Sequence, residues 1–147
     1  MAVIYRVNMS DLSVRSEEAS KSYAELGGRG LTSAIVGAEV PATCHPLSAE
    51  NKLVLAPGIL SGTGAPCSGR ISAGAKSPLT GTIKESNAGG MAAQTLGRLG
   101  IGAIVVEGIP GDSQARYVLR IDANGAEIAA APDGAFPSHL TRRCPYP

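Results

Sequence analysis

Tryptophan is absent from this 147-residue chain, and the aromatic complement is four tyrosines and one phenylalanine. Single-strand nucleic-acid binders set stacking rings in basic grooves. Here thirteen basic residues face twelve acidic ones, for a net charge of +1, so no nucleic-acid partner is expected. Cysteine is scarce and odd in number. Cys44, Cys67 and Cys144 are widely spaced with no C-x-x-C pair, which excludes a secreted disulfide framework and leaves too few thiols for a four-cysteine cluster. The longest stretch without charge, 17 residues between Lys52 and Arg70, contains Pro57, Pro66 and four glycines. It cannot form a spanning helix, and no membrane partner is expected. The opening Met1 to Arg6 alternates like a strand and lacks the charged and apolar regions of a signal peptide. A cytoplasmic location follows as the expectation.

What the chain has in excess is glycine, 19 residues, beside 10 prolines, with 44% hydrophobic and 17% charged residues. That composition describes a folded chain with many turns rather than a disordered one. The length suffices for one domain burying roughly 70% of its unfolded surface. Val3, Tyr5 and Val7 alternate, Asn8 to Asp11 supply turn residues, and Leu12 to Arg15 resume, which predicts a hairpin. Asn8-Met9-Ser10 matches a glycosylation sequon, and turn chemistry is the reading preferred. Helices are predicted over Glu17 to Leu26, over Arg29 to Glu39 with Leu31, Ala34, Ile35 and Ala38 inward, and over Met91 to Leu99 with Ala92, Leu96 and Leu99 inward. Strands are predicted over Lys52 to Ala56, Arg70 to Ala75 and Ile101 to Glu107. A closing hairpin, Arg116 to Ile121 with Ala126 to Ala130, is predicted to turn through Asn124-Gly125 in a type I′ conformation. From Pro132 all period is lost, so residues 1–131 form the expected domain and 132–147 an irregular tail.

Eleven of the 19 glycines fall between Gly58 and Gly102, where even scattering would give about six. Two phosphate-binding patterns fail against this segment. Gly62-Thr63-Gly64-Ala65-Pro66-Cys67 has Cys at the third glycine of a dinucleotide fingerprint. Gly69 to Ser77 inserts Ala75 between the Gly and Lys of a P-loop, and Pro78 blocks the helix that must begin there. What remains is bare backbone flanked by Arg70, Lys76 and Asn87. An arginine forks two N–H groups onto a phosphate or carboxylate. A lysine places a point charge, and an amide oxygen suits a hard cation such as Mg²⁺. Asn87 leads through Ala88-Gly89-Gly90 into the Met91 helix, whose first N–H groups suit phosphate oxygens. The same residues also suit a plain set of turns with a solvated arginine and lysine. Cys44-His45 suggests a nucleophile pair, but adjacent side chains on extended backbone point apart.

Several blocks taken in order resemble one family. Tyr5-Arg6-Val7-Asn8, Gly27-Gly28-Arg29-Gly30-Leu31, Pro46 to Gly58, Leu60-Ser61-Gly62-Thr63, Ala65-Pro66, Gly69-Arg70, Lys76-Ser77-Pro78-Leu79-Thr80-Gly81, Asn87-Ala88-Gly89-Gly90 and Ile104 to Gly108 resemble the N-terminal domain of tungsten-containing aldehyde:ferredoxin oxidoreductases. The resemblance runs from about Val3 to Asp122. It implies an α+β fold, a β-rich N-terminal domain of that type, here incomplete. It also implies a base for tungsten held by two pterin (molybdopterin) cofactors, with Mg²⁺ bridging their phosphates. On this resemblance Arg70 lies beside the pterin, and Asn87 at the phosphate and Mg²⁺ region. Gly89 and Gly90 let backbone approach a phosphate, while Lys76 and Ser77 lie in a family block at the same cofactor.

The implied reaction is oxidation of an aldehyde to a carboxylic acid, with electrons leaving through a [4Fe-4S] cluster to ferredoxin or another carrier. None of the three cysteines maps onto a cluster ligand, and no catalytic residue is assigned within this chain. Two readings are carried forward. One is an N-terminal fragment contributing to a tungsten, or molybdenum, bis-pterin site without turning over alone. The other is a non-catalytic pterin-binding or assembly subunit working with a separate chain that bears the cluster and completes the domain. The loss of period at Pro132 leads us to expect a truncated or frame-shifted gene product. Sequencing the DNA past the Pro147 codon is expected to reveal a reading frame encoding helical sequence of the same family, and finding none contradicts that expectation.

Overall fold

A computed structural model describes residues 2–112 and 114–132 of the chain. Six strands form one mixed sheet in the order β2-β1-β6-β3-β4-β5. These are β1 (Val3–Asn8), β2 (Ser13–Glu18), β3 (Lys52–Pro57), β4 (Arg70–Lys76), β5 (Ile83–Gly89) and β6 (Ile101–Glu107). Only the β1–β6 pair of this sheet is parallel. A separate hairpin joins β7 (Tyr117–Asp122) to β8 (Gly125–Ala130), and the helices are α1 (Lys21–Ala24), α2 (Gly28–Glu39) and α3 (Met91–Arg98). This is the β-rich α+β architecture expected. Among the described residues no helix is long and apolar enough to cross a membrane. The expected irregular tail lies, but for Pro132, outside the described residues.

The sheet has an apolar residue on each face because strand side chains alternate. On one face α2 buries Leu31, Ile35 and Val36 against Ile4, Val54, Ala56, Ala103 and Val105. On the other, Val7, Ile101 and Ile104 pack with Leu96 of α3 and with Leu119, Ile121 and Ile128 of the hairpin. Two predicted helix stripes are rotated by about one residue. In α2 the buried set is Leu31, Thr32, Ile35 and Val36 rather than one including Ala34 and Ala38. Thr32 turns inward because Gly74 on β4 has no side chain, and a Cβ there would lie 2.7 Å from Thr32 Cβ. In α3 Ala93 and Leu96 are buried, and Ala92 is exposed.

Three further expectations need correction. The helix predicted over Glu17 to Leu26 shrinks to Lys21–Ala24, because Glu17 and Glu18 continue β2 opposite Ile4 and Val3. Glu17 is held there by Arg6, whose Nε donates to its carboxylate at 2.8 Å. The strand β5 was not predicted, since Ile83 is its one strong strand former. The closing hairpin turns through Ala123 and Asn124 between the paired Asp122 and Gly125. Neither has positive φ, so the turn is not type I′, and the Asn124 N–H instead donates to Asp122 Oδ1 at 2.7 Å. The sequon at Asn8 is turn chemistry, as read, with the Ser10 N–H donating to Asn8 Oδ1 at 2.9 Å.

One edge of the core is closed by ion pairs rather than apolar contacts. Glu39, at the end of α2, receives two bonds from the Arg6 guanidinium at 2.6 and 2.8 Å and one from Lys52 Nζ at 2.8 Å. Lys52 also meets Glu107 at 2.7 Å. Together they tie α2 to β1, β3 and β6. The Arg6 guanidinium first, helped by Lys52, outweighs burial and holds the Glu39 carboxyl down to about 2 from its ordinary 4.5. Burial alone would lower the Lys52 ammonium, but Glu107 and Glu39 raise it. A carboxyl depressed on folding stabilises fully above its unfolded pKa and loses that contribution as pH falls toward its folded one. Wild-type stability is therefore expected to fall through pH 4.5 toward 2. Glu39→Gln should lower the unfolding free energy at pH 7 by about 2 kcal/mol and flatten that acid limb. Urea unfolding across pH 7 to 2.5 checks it, and parallel acid limbs for the two proteins contradict it.

Candidate functional site

The Gly-rich segment folds as a loop closed by its own polar groups. Gly58 N–H donates to Arg70 O at 3.0 Å and Ser61 Oγ to Ser68 O at 2.7 Å. Gln94 of α3 then staples the loop from outside. Its Oε1 accepts the Gly62 N–H at 2.7 Å and its Nε2 donates to Ser68 Oγ at 3.1 Å. Helix and loop touch backbone to backbone, since a Cβ on Gly97 would lie 2.1 Å from Ser61 O. The glycine there is required by close approach, and its absence of side chain serves packing rather than a ligand. Cys67 lies exposed in this loop, whereas Cys44 is buried. His45 Nδ1 accepts the Leu47 N–H at 3.2 Å.

Where the loop enters β4, the structure assembles four of the sequence-predicted residues. Antiparallel pairing sets Arg70 opposite Gly89 and Ser72 opposite Asn87, and the Gly90 N–H closes the ladder on Gly69 O at 3.0 Å. Alternate residues share a face, so Arg70, Ser72, Glu85 and Asn87 lie together. Arg70 Nε donates to Asn87 Oδ1, and Asn87 Nδ2 donates to Ser72 Oγ at 3.0 Å. Ser72 is 1% exposed. Arg29, at the start of α2, caps the row with bonds of 3.1 and 3.0 Å to Glu85 Oε2. The Ser72 hydroxyl above all, then Arg29, outweigh burial and hold the Glu85 carboxyl below its usual range.

The site can offer an exposed guanidinium over bare backbone. Arg70 Nη1 stands 3.6 Å from where a Gly89 Cβ would sit, an ordinary contact, so the fold itself does not require glycine at 89. Gly90 is different. Its φ of +139° lies in a region that other residues adopt only under strain. An anionic, flat-bodied ligand fits this chemistry, with the arginine fork for charge and glycines for close approach. The Asn87 side-chain oxygen is engaged by Arg70, so a cation reaching it must displace that bond.

Lys76 and Ser77 are not part of this cluster. Lys76 is the last residue of β4, about 20 Å along the strand from Arg70. It is buried, its Nζ donating to Ala42 O and Cys44 O, both at 2.6 Å. It therefore clamps the loop after α2 rather than facing a ligand. Ser77 starts the β4–β5 turn, its N–H donating to Thr82 O at 2.8 Å and its Oγ accepting the Leu79 N–H at 3.2 Å. Reading the sequence missed Ser72, Glu85, Arg29 and Gln94. The first three become visible only once β5 is paired with β4. Gln94 carried one signal, a polar residue beside the buried Ala93.

Among the described residues no group of three or more His, Cys, Asp or Glu could hold a metal ion. Comparison with known proteins gives consistent results. The family pattern described as aldehyde ferredoxin oxidoreductase, N-terminal domain, matches residues 4–141. A tungsten-containing aldehyde ferredoxin oxidoreductase of Pyrococcus furiosus is 46% identical over 105 residues, covering 70% of this chain and 17% of that protein. One from Thermococcus kodakarensis is 44% identical over the same share of each. Among solved structures, the active-site complex BamBC of benzoyl coenzyme A reductase with 1,5-dienoyl-CoA superposes with a TM-score of 0.81 at 29% identity. That match covers 95% of this chain and 20% of the other. The chain thus spans under a fifth of the curated relatives' length.

The two adjacent glycines are expected to respond differently. Gly90→Ala should cost about 1–3 kcal/mol for its strained φ, and Gly89→Ala under about 1 kcal/mol. Thermal unfolding of both variants checks this, and equal losses contradict the separation.

Proposed function

The chain belongs to the aldehyde ferredoxin oxidoreductase family through its N-terminal domain, and from that premise we propose that it supplies one wall of a tungsten bis-pterin site. The observation that carries this reading is the Arg70–Asn87 pair over Gly89 and Gly90. Arg70 would hold the pterin edge or its phosphate, and the bare backbone of Gly89 and Gly90 would admit a phosphate. Asn87 would serve the phosphate and its Mg²⁺, through the backbone or through an amide released by Arg70. The bound metal would supply the redox chemistry, removing two electrons as an aldehyde and water become a carboxylic acid and two protons. The protein's share is placement and charge.

On this reading the opposite wall, the [4Fe-4S] cluster ligands and the substrate contacts come from outside the described residues, in line with the small share of each relative that the chain covers. Ferredoxin is the electron acceptor proposed, by the relatives' name. Among the described residues the free thiols Cys44 and Cys67 fit a reducing, cytoplasmic setting. The reading is tested by co-expressing the chain in a host that makes tungstopterin and assaying co-purified pterin by fluorescence after oxidative release. Wild type is expected to retain pterin, and Arg70→Ala to lose about tenfold or more, the effect of removing a charged hydrogen-bond partner. Equal retention by the two proteins, or none by wild type, counts against it.

A further inference from the structure

We infer that Gln94 and Ser68 are positioning residues for Arg70: a clasp of hydrogen bonds with fixed polarity ties the end of the Gly-rich loop to α3 and so sets the turn at Gly69 from which Arg70 enters β4. The consequence for ligand binding rests on the pterin reading above, whereas the clasp itself does not.

The main chain of Arg70 is not held by β5. Gly69 O takes the Gly90 N–H, and hydrogen-bonded and non-hydrogen-bonded pairs alternate along an antiparallel ladder. Arg70 opposite Gly89 is therefore a non-hydrogen-bonded pair. Its N–H donates instead to Ser68 O at 2.9 Å, and its C=O accepts the Gly58 N–H at 3.0 Å. The place of Arg70 is thus decided by Ser68 and Gly58, at the two ends of the loop.

Ser68 is fixed in turn by three further bonds. Its C=O also accepts the hydroxyl of Ser61 at 2.7 Å, a residue 6% exposed. Its own hydroxyl donates to Ala65 O at 2.9 Å and accepts from Gln94 Nε2 at 3.1 Å. Each end of the clasp is a backbone group that acts in one sense only. The Gly62 N–H only donates, which puts Oε1 of the Gln94 amide toward it at 2.7 Å and leaves Nε2 for Ser68. Ala65 O only accepts, so Ser68 gives it the proton and offers a lone pair to Gln94. An amide turned end for end would oppose the Gly62 N–H and take the Ser68 proton from Ala65.

Gln94 also links the two halves of the site. It stands four residues after Gly90, the N-cap of α3. Its side chain lies over Gly69, where a Cβ would sit 3.1 Å from Gln94 Cγ and 2.9 Å from Gly90 O. One amide thus registers the turn before Arg70 against the strand end that carries Asn87, Gly89 and Gly90. With its main chain so set, Arg70 brings Nε to Asn87 Oδ1 before any ligand arrives. Holding a binding group in its bound orientation cuts the ordering cost of association.

The test is solvent exchange in the ¹⁵N-labelled, unliganded chain, followed at the Gly62 N–H, the Arg70 N–H and the Arg70 Nε–H, the last identified by its loss in Arg70→Lys. Gln94→Met keeps the length of the side chain and removes both of its bonds. Ser68→Ala removes the hydroxyl alone and keeps the carbonyl, and it decides the matter by itself should Gln94→Met not fold. Each is expected to speed exchange of both Arg70 protons about tenfold, the effect of losing one hydrogen bond, while amides of β1 and β6 exchange as in wild type. Each should also reduce pterin retention severalfold, less than Arg70→Ala does. Wild-type exchange at Arg70 in either folded variant overturns the inference, whether or not the Gly62 N–H exchanges faster, because a bond that serves the loop alone leaves Arg70 untouched. The two readings separate cleanly. Faster exchange with no effect of Arg70→Ala on pterin leaves the clasp standing and removes the pterin reading. Pterin loss in Arg70→Ala with unchanged Arg70 exchange in the other variants does the reverse.

Discussion

The antiparallel pairing of β4 with β5 is the constraint on which the candidate site depends. Seven residues of each strand are in register, from Arg70 opposite Gly89 to Lys76 opposite Ile83. Because the side-chain period is two, a slip of one residue would send Asn87 to the opposite face from Arg70. The register is set at one end by the Ser77–Thr82 turn and at the other by the Gly90 to Gly69 backbone bond. Between them Thr32 seats on Gly74, which fixes β4 under α2. Arg29 comes to Glu85 by the same docking of α2.

The polar groups of the molecule divide into two sets with different work. At the edge where α2 ends, Arg6, Glu39, Lys52 and Glu107 join one helix to three strands. Lys76, on two carbonyls, secures the loop that follows α2. These are structural contacts, satisfied on every side and partly or wholly buried. Where α2 begins, Arg29 meets Glu85, and beside them the bonded Ser72, Asn87 and Arg70 end in an exposed guanidinium above backbone that carries no side chains. The second set alone has donors left over, which is why a ligand is sought there.

Much of the fold was legible from hydrophobic period. β3, β4 and β6, the first hairpin, α2 and α3 follow from alternation or helical spacing, and the bounds of β6 agree to the residue. The misses have specific causes. Glu17 looked helical by propensity, but a ladder and an arginine placed it in β2. Ile-Lys-Glu-Ser-Asn-Ala-Gly lacks strand formers, and it is a strand because β4 beside it supplies the pairing. For the site, Arg70, Asn87 and the glycines could be singled out by residue type and glycine density. Lys76 could not be told from a ligand by sequence, since a buried lysine held by carbonyls looks the same as an exposed one. Ser72 and Glu85 are ordinary in sequence, and only the pairing of β4 with β5 brings them beside Asn87.

The sheet, its register and the family membership support the proposal that this chain forms one face of a larger cofactor site, read at Arg70 and Asn87. The most direct measurement is chemical-shift mapping of the ¹⁵N-labelled chain titrated with a pterin phosphate monoester. The account predicts that shifts concentrate at Gly69, Arg70 and Asn87 to Gly90. Shifts centred instead on Lys76 and the Ser77 to Thr82 turn, or none at saturating ligand, would contradict it.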